Sequence, residues 1–437
     1  MSGGCRTRTT CRSCGNGDLS LVLDFGRMAL AGGFLAPRDF PWERTYPLQL
    51  YFCRRCFLLQ VVNVVPPELL FSNYFYFSSV IRTLQEHFRE YARACSERFL
   101  TAGRSFVVEI GCNDGVLLRP FRDLGMRVLG VDPAANVTAS VRQEGVDVIN
   151  DFFTKGVAER IVAKHGRADA VVANNVFAHI DDLHDIIRGI YRLLAPDGVF
   201  IFEAHYAGNL IGQMQCDMIY HEHLSYYSLL AVENLFRRFD MEVFDVTPVS
   251  IHAGSVRYYV RKVRGIPREK ISDRVVALRN EELAKGYHRA ETYRTYAAQV
   301  DEKRSELLFL LRALKANGKS IVGYGASGRA NTLMQYCGLD RQIIEYMVDD
   351  APAKHGFFTP GAHLPIRPST ALDEEPPDYV LVFAWAFVDE IKLRCERYLR
   401  AGGRLIIPLP DVQVLSFHGI EEPRMANFSS LMKAELP

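Results

Sequence analysis

Glu109-Ile110-Gly111-Cys112-Asn113-Asp114-Gly115 follows Phe106-Val107-Val108 and leads into Val116-Leu117-Leu118, so a short apolar strand passes through a glycine-rich turn into a helix. The pattern repeats outward from this turn. Phe106 to Ile110 predicts a strand, Val116 to Leu124 a helix, Arg127 to Val131 a strand, Ala134 to Glu144 a helix and Val146 to Ile149 a strand. Ala170 to Val172 reads as the next strand, Leu183, Ile186, Ile187, Ile190, Leu193 and Leu194 keep helical spacing, and Val199 to Phe202 reads as another strand. Such alternation predicts an α/β fold with a doubly wound parallel sheet whose ligand lies at the carboxyl ends of the strands.

The turn is acidic. A dinucleotide would put its pyrophosphate at this helix N-terminus, where the carboxylates of Glu109 and Asp114 would repel it. S-adenosylmethionine has no phosphate and carries a sulfonium and an ammonium, so the same carboxylates favour it. Gly111 and Gly115 permit close backbone approach, Asn113 lies within the turn, and Asp132, ending the second strand, is placed to accept hydrogen bonds from both ribose hydroxyls. Asp151-Phe152 after the third strand would flank the adenine, and Asn174 after the fourth would hydrogen-bond the methionyl end. Any one of these residues alone reads as an ordinary turn. In order on successive strand ends they resemble the class I S-adenosylmethionine-dependent methyltransferases.

With 437 residues the chain fits two or three domains, and 48% hydrophobic with 24% charged residues is ordinary globular composition. Lys plus Arg is 52 against 51 Asp plus Glu, which gives no broad basic surface and argues against a nucleic-acid partner. Met1 to Arg6 lack the apolar core of a signal peptide, and the densest apolar run, Tyr379 to Val388, is too short to span a bilayer. The expectation is a cytoplasmic protein without a membrane partner.

Four of the ten cysteines form two C-x2-C knuckles, Cys11-Arg12-Ser13-Cys14 and Cys53-Arg54-Arg55-Cys56, separated by 38 residues. Two knuckles complete the closed tetrahedral S4 set that structural Zn2+ prefers. Arg6, Arg8, Arg12, Arg54 and Arg55 suit the thiolate form. The competing reading is two unrelated reduced pairs, one of them a redox C-x-x-C. Between the knuckles, Leu21 to Phe25 and Tyr46 to Tyr51 alternate as strands do.

Ile219-Tyr220-His221-Glu222-His223-Leu224-Ser225-Tyr226-Tyr227 gathers two histidines, a carboxylate and three phenols. It can be read as a polar surface turn or as a His-x-His metal site, but no H-E-x-x-H spacing supports the metal, and general acid-base chemistry is favoured. Methyl transfer to carbon, unlike transfer to oxygen or nitrogen, needs a base for a C–H proton and a donor for the enolate oxygen. His223, of a residue type that titrates near ~6.5, suits the base, Glu222 can tune it or replace it, and Tyr220 can donate to the enolate. His179 lies at the same rim of the sheet.

Glu269 to about Asn317 is charged, nearly free of Gly and Pro and helical in character. A second α/β unit follows, in which Ser320 to Tyr324 leads into a G-x-G-x-x-G at Gly323, Gly325 and Gly328, with Asp349 ending a strand at Ile343 to Val348. Alone, this stretch would be a dinucleotide site. It keeps open an NAD-dependent oxidoreductase, and a zinc-ribbon scaffold with inactive Rossmann domains is a third reading. The unit shortens after Asp349-Asp350, where Lys354 to Pro365 reads as a loop, and the amides at the helix N-terminus would suit a sugar diphosphate with Arg329 as its cation.

The two knuckles, Asn73 to Ser79, Glu109 to Gly115, Tyr220 to Ser225 and Gly323 to Leu333, in this order, resemble the sugar C-methyltransferases that act at C-3 of nucleotide-linked 4-keto-deoxyhexoses. The resemblance covers nearly the whole chain. It implies a small zinc-binding module over 1–68, a Rossmann-like class I methyltransferase domain over 69–265, and a helical bridge with a C-terminal Rossmann-like, substrate-holding domain over 266–437. It implies that Tyr220, Glu222 and His223 form the active-site motif, with Tyr76 and His179 in the pocket and Ser79, Ser255, Arg329 and Asn331 on the substrate side. The cofactors implied are S-adenosylmethionine and structural Zn2+, and the partner is a nucleotide-linked 4-keto sugar carried on thymidine or guanosine diphosphate. After Trp385 the resemblance leads one to expect Asn, where this chain has Ala386. The sequence fixes no oligomeric state and leaves a monomer open.

Overall fold

The computed structural model describes residues 4–71, 79, 82–264 and 270–421. The chain divides into two compact units, one made of residues 1–23, 49–209 and 221–294 and the other of 24–48, 210–220 and 295–437.

Phe106–Ile110 is buried at all five positions, so its apolar run has both faces covered and takes the centre of a sheet. That sheet, in the first unit, runs Met241–Val249, Ser255–Lys262, Leu194–His205, Ala168–Asn174, Phe106–Ile110, Arg127–Val131, Val148–Ile149. From Leu194–His205 to Val148–Ile149 the strands are parallel, and the two at the other edge are antiparallel. After Phe106–Ile110 the chain steps outward through Arg127–Val131 to Val148–Ile149, then returns to pair Ala168–Asn174 on the other side, with Val107 beside Val128 and Ala170. The strand order reverses there. Such a reversal opens a crevice at the carboxyl ends of the two central strands, between 110–115 and 174–176.

Helices cover both faces because their apolar residues fall on one stripe. Arg82–Phe99 buries Leu84, Phe88, Tyr91, Ala92 and Cys95, which pack with Val107, Ala170 and Ile201. Leu183–Leu193 starts at Asp182, whose carboxylate accepts from the amides of His184 and Asp185. In the knuckle region, Leu19–Ala29, Thr45–Cys53, Leu59–Val61 and Ser225–Tyr226 belong to one four-stranded sheet. The strand Thr45–Cys53 alternates buried and half-buried residues as its sequence predicts.

The bridge is two helices, Asp273–Ala284 and Ala290–Ala316, interrupted at Gly286, which has φ +73°. In the second unit the sheet order is Ile366–Pro368, Met347–Asp349, Ile321–Tyr324, Tyr379–Val382, Arg404–Ile407, Gln413–Ser416, Gly419–Glu421, parallel through Arg404–Ile407 and antiparallel beyond. The expected shortening after Asp350 is therefore only local. Residues 350–365 cross over with a single helical turn at Pro352–Lys354, and the sheet continues on both sides. The strand expected from Ile343 is cut to Met347–Asp349 because Asp340 closes a turn, its carbonyl accepting from the amides of Ile343 and Ile344 and its carboxylate from that of Gln342.

Candidate active site and metal centre

The Sγ atoms of Cys11, Cys14, Cys53 and Cys56 lie within 4.8 Å of one another, with Cys11–Cys56 and Cys14–Cys53 both at 3.5 Å. A tetrahedral S4 zinc with ~2.3 Å bonds needs sulfurs about 3.8 Å apart, so a cation fits after small shifts that open the closest pairs and draw in the widest. The knuckles are built alike. The amide of Gly15 donates to the Cys11 carbonyl and that of Phe57 to the Cys53 carbonyl, both at 2.9 Å, and both residues are left-handed, at φ +72° and +66°. Of the arginines expected beside the thiolates, Arg6, Arg8 and Arg12 converge on Asp181, and Arg12 also interacts electrostatically with Cys11.

At the strand reversal, three carboxyls share one cradle. Burial first, then the charges of Asp132 and Asp114, push Glu109 well above the usual carboxylate range. Glu109 Oε2, Asp114 Oδ1 and both polar atoms of the Asn174 side chain are buried with no hydrogen-bond partner among the described residues. Asp132 accepts from the Asn113 amide on one oxygen and from the Ala134 amide on the other, both at 2.9 Å, which fixes its carboxylate and leaves each oxygen a second lone pair. This donor set fits a cation with hydroxyls to satisfy. The glycines are also required by packing. A Cβ on Gly111 would fall 2.2 Å from Val176 Cγ2, and one on Gly115 would fall 2.3 Å from Val141 Cγ2, so side chains of the protein occupy that room. Phe152 is half-buried, and Asp151, more exposed, pairs with Arg160 at 2.7 Å.

Across the same rim, His179 and His223 have ring centroids 5.2 Å apart, Phe71 stacks on His179 at 5.3 Å, and Tyr226 lies edge-on to His223 at 6.3 Å. Burial and then His223 hold His179 well below the usual imidazole range. Burial pushes Glu222 up to about 7, and it makes no hydrogen bond or ion pair among the described residues. The motif runs through the point where the chain passes between units, Tyr220 ending the segment 210–220 and Glu222 and His223 starting 221–294. Tyr76 lies outside the described residues. The Ser79 amide donates to Asp114 Oδ2 at 3.0 Å, and the Ser255 hydroxyl donates to the Ile251 carbonyl at 3.4 Å.

In the second unit, Arg329 meets the buried Asp217 through Nε at 2.9 Å and Nη2 at 3.2 Å, and Trp385 Nε1 donates to the same carboxylate at 2.9 Å. The Arg329 charge is thus met by the protein, and Nη1 makes no hydrogen bond among the described residues. Asn331 Nδ2 donates to the Ala31 carbonyl, and its Oδ1 is buried without a partner among the described residues. Asp349 accepts from the Ala326 amide and Lys354 Nζ on Oδ2 and from the Ala351 amide on Oδ1, so a lysine already occupies the carboxylate that a dinucleotide ribose would need. Ala386 is exposed.

Residues 250–410 match the family described as the C-methyltransferase C-terminal domain, residues 84–246 a methyltransferase domain, and residues 11–71 a family of zinc binding domains. The C-methyltransferase NovU of Streptomyces niveus is 36% identical over 407 residues, which are 93% of this chain and 96% of that one. The chain belongs to the C-methyltransferase family. A ubiquinone biosynthesis O-methyltransferase of Methylobacterium sp. (strain 4-46) is 38% identical over 96 residues, 22% of this chain and 38% of that protein. Among solved structures, an S-adenosylmethionine-dependent methyltransferase from Clostridium acetobutylicum aligns over 41% of this chain and 92% of that one, at 14% identity and a TM-score of 0.33, too distant to carry an argument.

Two constellations of this C-methyltransferase escape a sequence reading. Glu203, wholly buried beside Asn174, accepts from His87 Nε2 at 3.0 Å and from Arg257 Nε at 2.7 Å, and these partners overcome the upward push of burial and hold it below the usual range. Its one sequence signal is a carboxylate ending the apolar run Val199 to Phe202. Glu282, also buried, accepts from the Tyr206 hydroxyl at 2.9 Å and from the amides of Leu229 and Leu230, and burial pushes it up to about 7. Glu282 lies in the helix Asp273–Ala284 amid other charges, so nothing local marks it.

Proposed function

We propose that this S-adenosylmethionine-dependent C-methyltransferase acts at C-3 of a 4-keto-deoxysugar carried on thymidine or guanosine diphosphate. The observation that supports this reading best is the proton-transfer set at the rim: Glu222 raised to about 7, next in the chain to His223, whose ring lies 5.2 Å from His179. Methylation of oxygen or nitrogen needs no such set, whereas carbon does. His223 takes the C-3 proton, the C–H electron pair moves into the enolate, and Tyr220 donates to the C-4 oxygen. S-adenosylmethionine, when bound, supplies an electrophilic methyl group and leaves as S-adenosylhomocysteine. Glu109, Gly111, Asn113, Gly115, Asp132, Asp151, Phe152 and Asn174 hold it, Glu109 facing its cationic end, Asp132 its ribose hydroxyls and Asp151 with Phe152 its adenine. Tyr76, Ser79 and Ser255 hold the sugar nucleotide.

Glu222 as the base is a second reading, favoured by its elevation to about 7, which suits proton abstraction near neutral pH. The deciding experiment follows exchange of the C-3 hydrogen with solvent deuterium in the absence of cofactor, for thymidine- and guanosine-linked substrates in parallel. A wild-type enzyme that exchanges neither, and whose melting temperature neither raises in the presence of S-adenosylhomocysteine, would sink the reading.

A further inference from the structure

The guanidinium of Arg12 is buried between the two cysteines of the first knuckle, its side chain wholly inaccessible. It donates to the carbonyl of Leu224, to the carbonyl of Val61 at 2.7 Å, and to Asp181 at 3.4 Å. Leu224 follows His223, and Asp181 lies two residues after His179. The Leu224 amide in turn donates to the Ala178 carbonyl at 2.9 Å, next to His179, and the Leu224 carbonyl also accepts from the Val61 amide at 3.0 Å. Arg8 reinforces Asp181 at 3.0 Å, Arg6 joins it, and the neighbouring Ser13 carbonyl accepts from His184 Nε2 at 2.7 Å. One loop of the metal centre therefore grips both segments that carry the rim histidines.

A prop for a fold would be cheaper without this charge. Burying a guanidinium costs several kcal/mol before its partners compensate, and here Nε is buried with no partner among the described residues. An apolar side chain of similar volume would pack the knuckle at no such cost. What an apolar side chain cannot do is fix two carbonyls and a carboxylate at once, in the geometry of a planar fork.

We propose that Arg12 is a positioning residue for the methyl transfer, locking the 178–181 and 222–224 segments in register through Asp181 and Leu224, so that the cysteine module sets catalytic geometry as well as stability. This rests on the reading of His223 or Glu222 as the base. Misplacing a catalytic group by about 1 Å costs on the order of 100-fold in rate.

The test compares Arg12→Met, Arg12→Lys and Asp181→Asn in the full chain, at a temperature where each is folded. The probes are the thymidine- and guanosine-diphosphate-linked 4-keto-deoxyhexoses, with backbone deuterium exchange of residues 176–182 and 221–226 and zinc content measured alongside. Arg12→Met should lower kcat by about 10-fold or more with KM within about two-fold, and should lose protection in both segments together. Asp181→Asn, away from the cysteines and with zinc retained, should do the same more weakly, and Arg12→Lys should recover part of kcat. Unchanged kcat in Arg12→Met and Asp181→Asn, or unchanged protection in both segments, overturns the proposal. If Arg12→Met does not fold, Asp181→Asn decides. Wild-type enzyme inactive on both probes removes the substrate reading alone, and the coupling is then judged on protection.

Discussion

His179 and His223 face each other with their rings inclined by 34° and centroids 5.2 Å apart. Burial together with His223 keeps His179 neutral well below the usual imidazole range, so one of the two rings is excluded from carrying a proton at ordinary pH. If His223 is the base, His223→Asn should abolish both methylation and cofactor-independent C-3 exchange while substrate still binds. Tyr220→Phe should slow both by roughly 10- to 1000-fold, the scale for one lost oxyanion donor. Retained exchange in His223→Asn with loss in Glu222→Gln transfers the role to Glu222. The rate would then climb with pH through about 7, as the carboxyl ionises.

Glu282 makes stability depend on pH. Its carboxyl sits near 7 in the fold against 4.5 in the unfolded chain, so the fold binds the extra proton. The stability it adds is complete below about 4.5 and is lost as pH rises through about 7, a span of about 3 kcal/mol. Glu282→Gln should flatten this part of the curve. Urea titrations of both proteins across that range would show parallel curves if Glu282 does not titrate there.

Asp132→Ala should weaken S-adenosylhomocysteine by about 1 to 3 kcal/mol, the cost of leaving two hydroxyls without their acceptor. Calorimetry giving equal affinity removes Asp132 from the cofactor site.

Metal analysis should find one zinc per chain in protein purified without chelator. Cys53→Ser should lower the melting temperature more than it alters S-adenosylhomocysteine affinity, because the sulfur closes a structural set. Preserved stability with lost activity would give the metal another role.

Gly111→Ala meets Val176 at 2.2 Å with a backbone at φ +69°. The double variant Gly111→Ala/Val176→Ala should recover part of the lost stability and leave about 1 to 2 kcal/mol of left-handed strain. No recovery would mean that the glycine answers to something other than Val176.

Phe106–Ile110 and Arg127–Val131 have the bounds their sequence predicts: the first is buried at all five positions and the second at its last three, so a mostly apolar stretch marks each strand. Val146 to Ile149 shrank to Val148–Ile149 at the sheet edge, where less is buried and the pattern constrains less. The cysteine quartet was legible because metal ligation dictates residue type and spacing together. Arg329 was legible only as a cation after a glycine turn, since Asp217, which neutralises it, lies 112 residues earlier. The same blindness hid Arg12: its neighbours in sequence are cysteines, and its partners Asp181 and Leu224 come from far along the chain.

Synthesis on the ribosome meets the second unit in an awkward order. Ala29 waits for Gln335, 306 residues later, and Glu43 waits for His363, 320 residues later. At about 5 to 20 residues per second the nascent segment from Asp24 to Leu48 stays without these partners for roughly 15 to 60 s. The cysteine set needs a separation of only 45 residues, so it can close as soon as Cys56 leaves the exit tunnel. Metal capture early and docking late leave residues 24–48 of the newborn protein open to proteases, and ribosome-bound chains halted before Gln335 should be cut there.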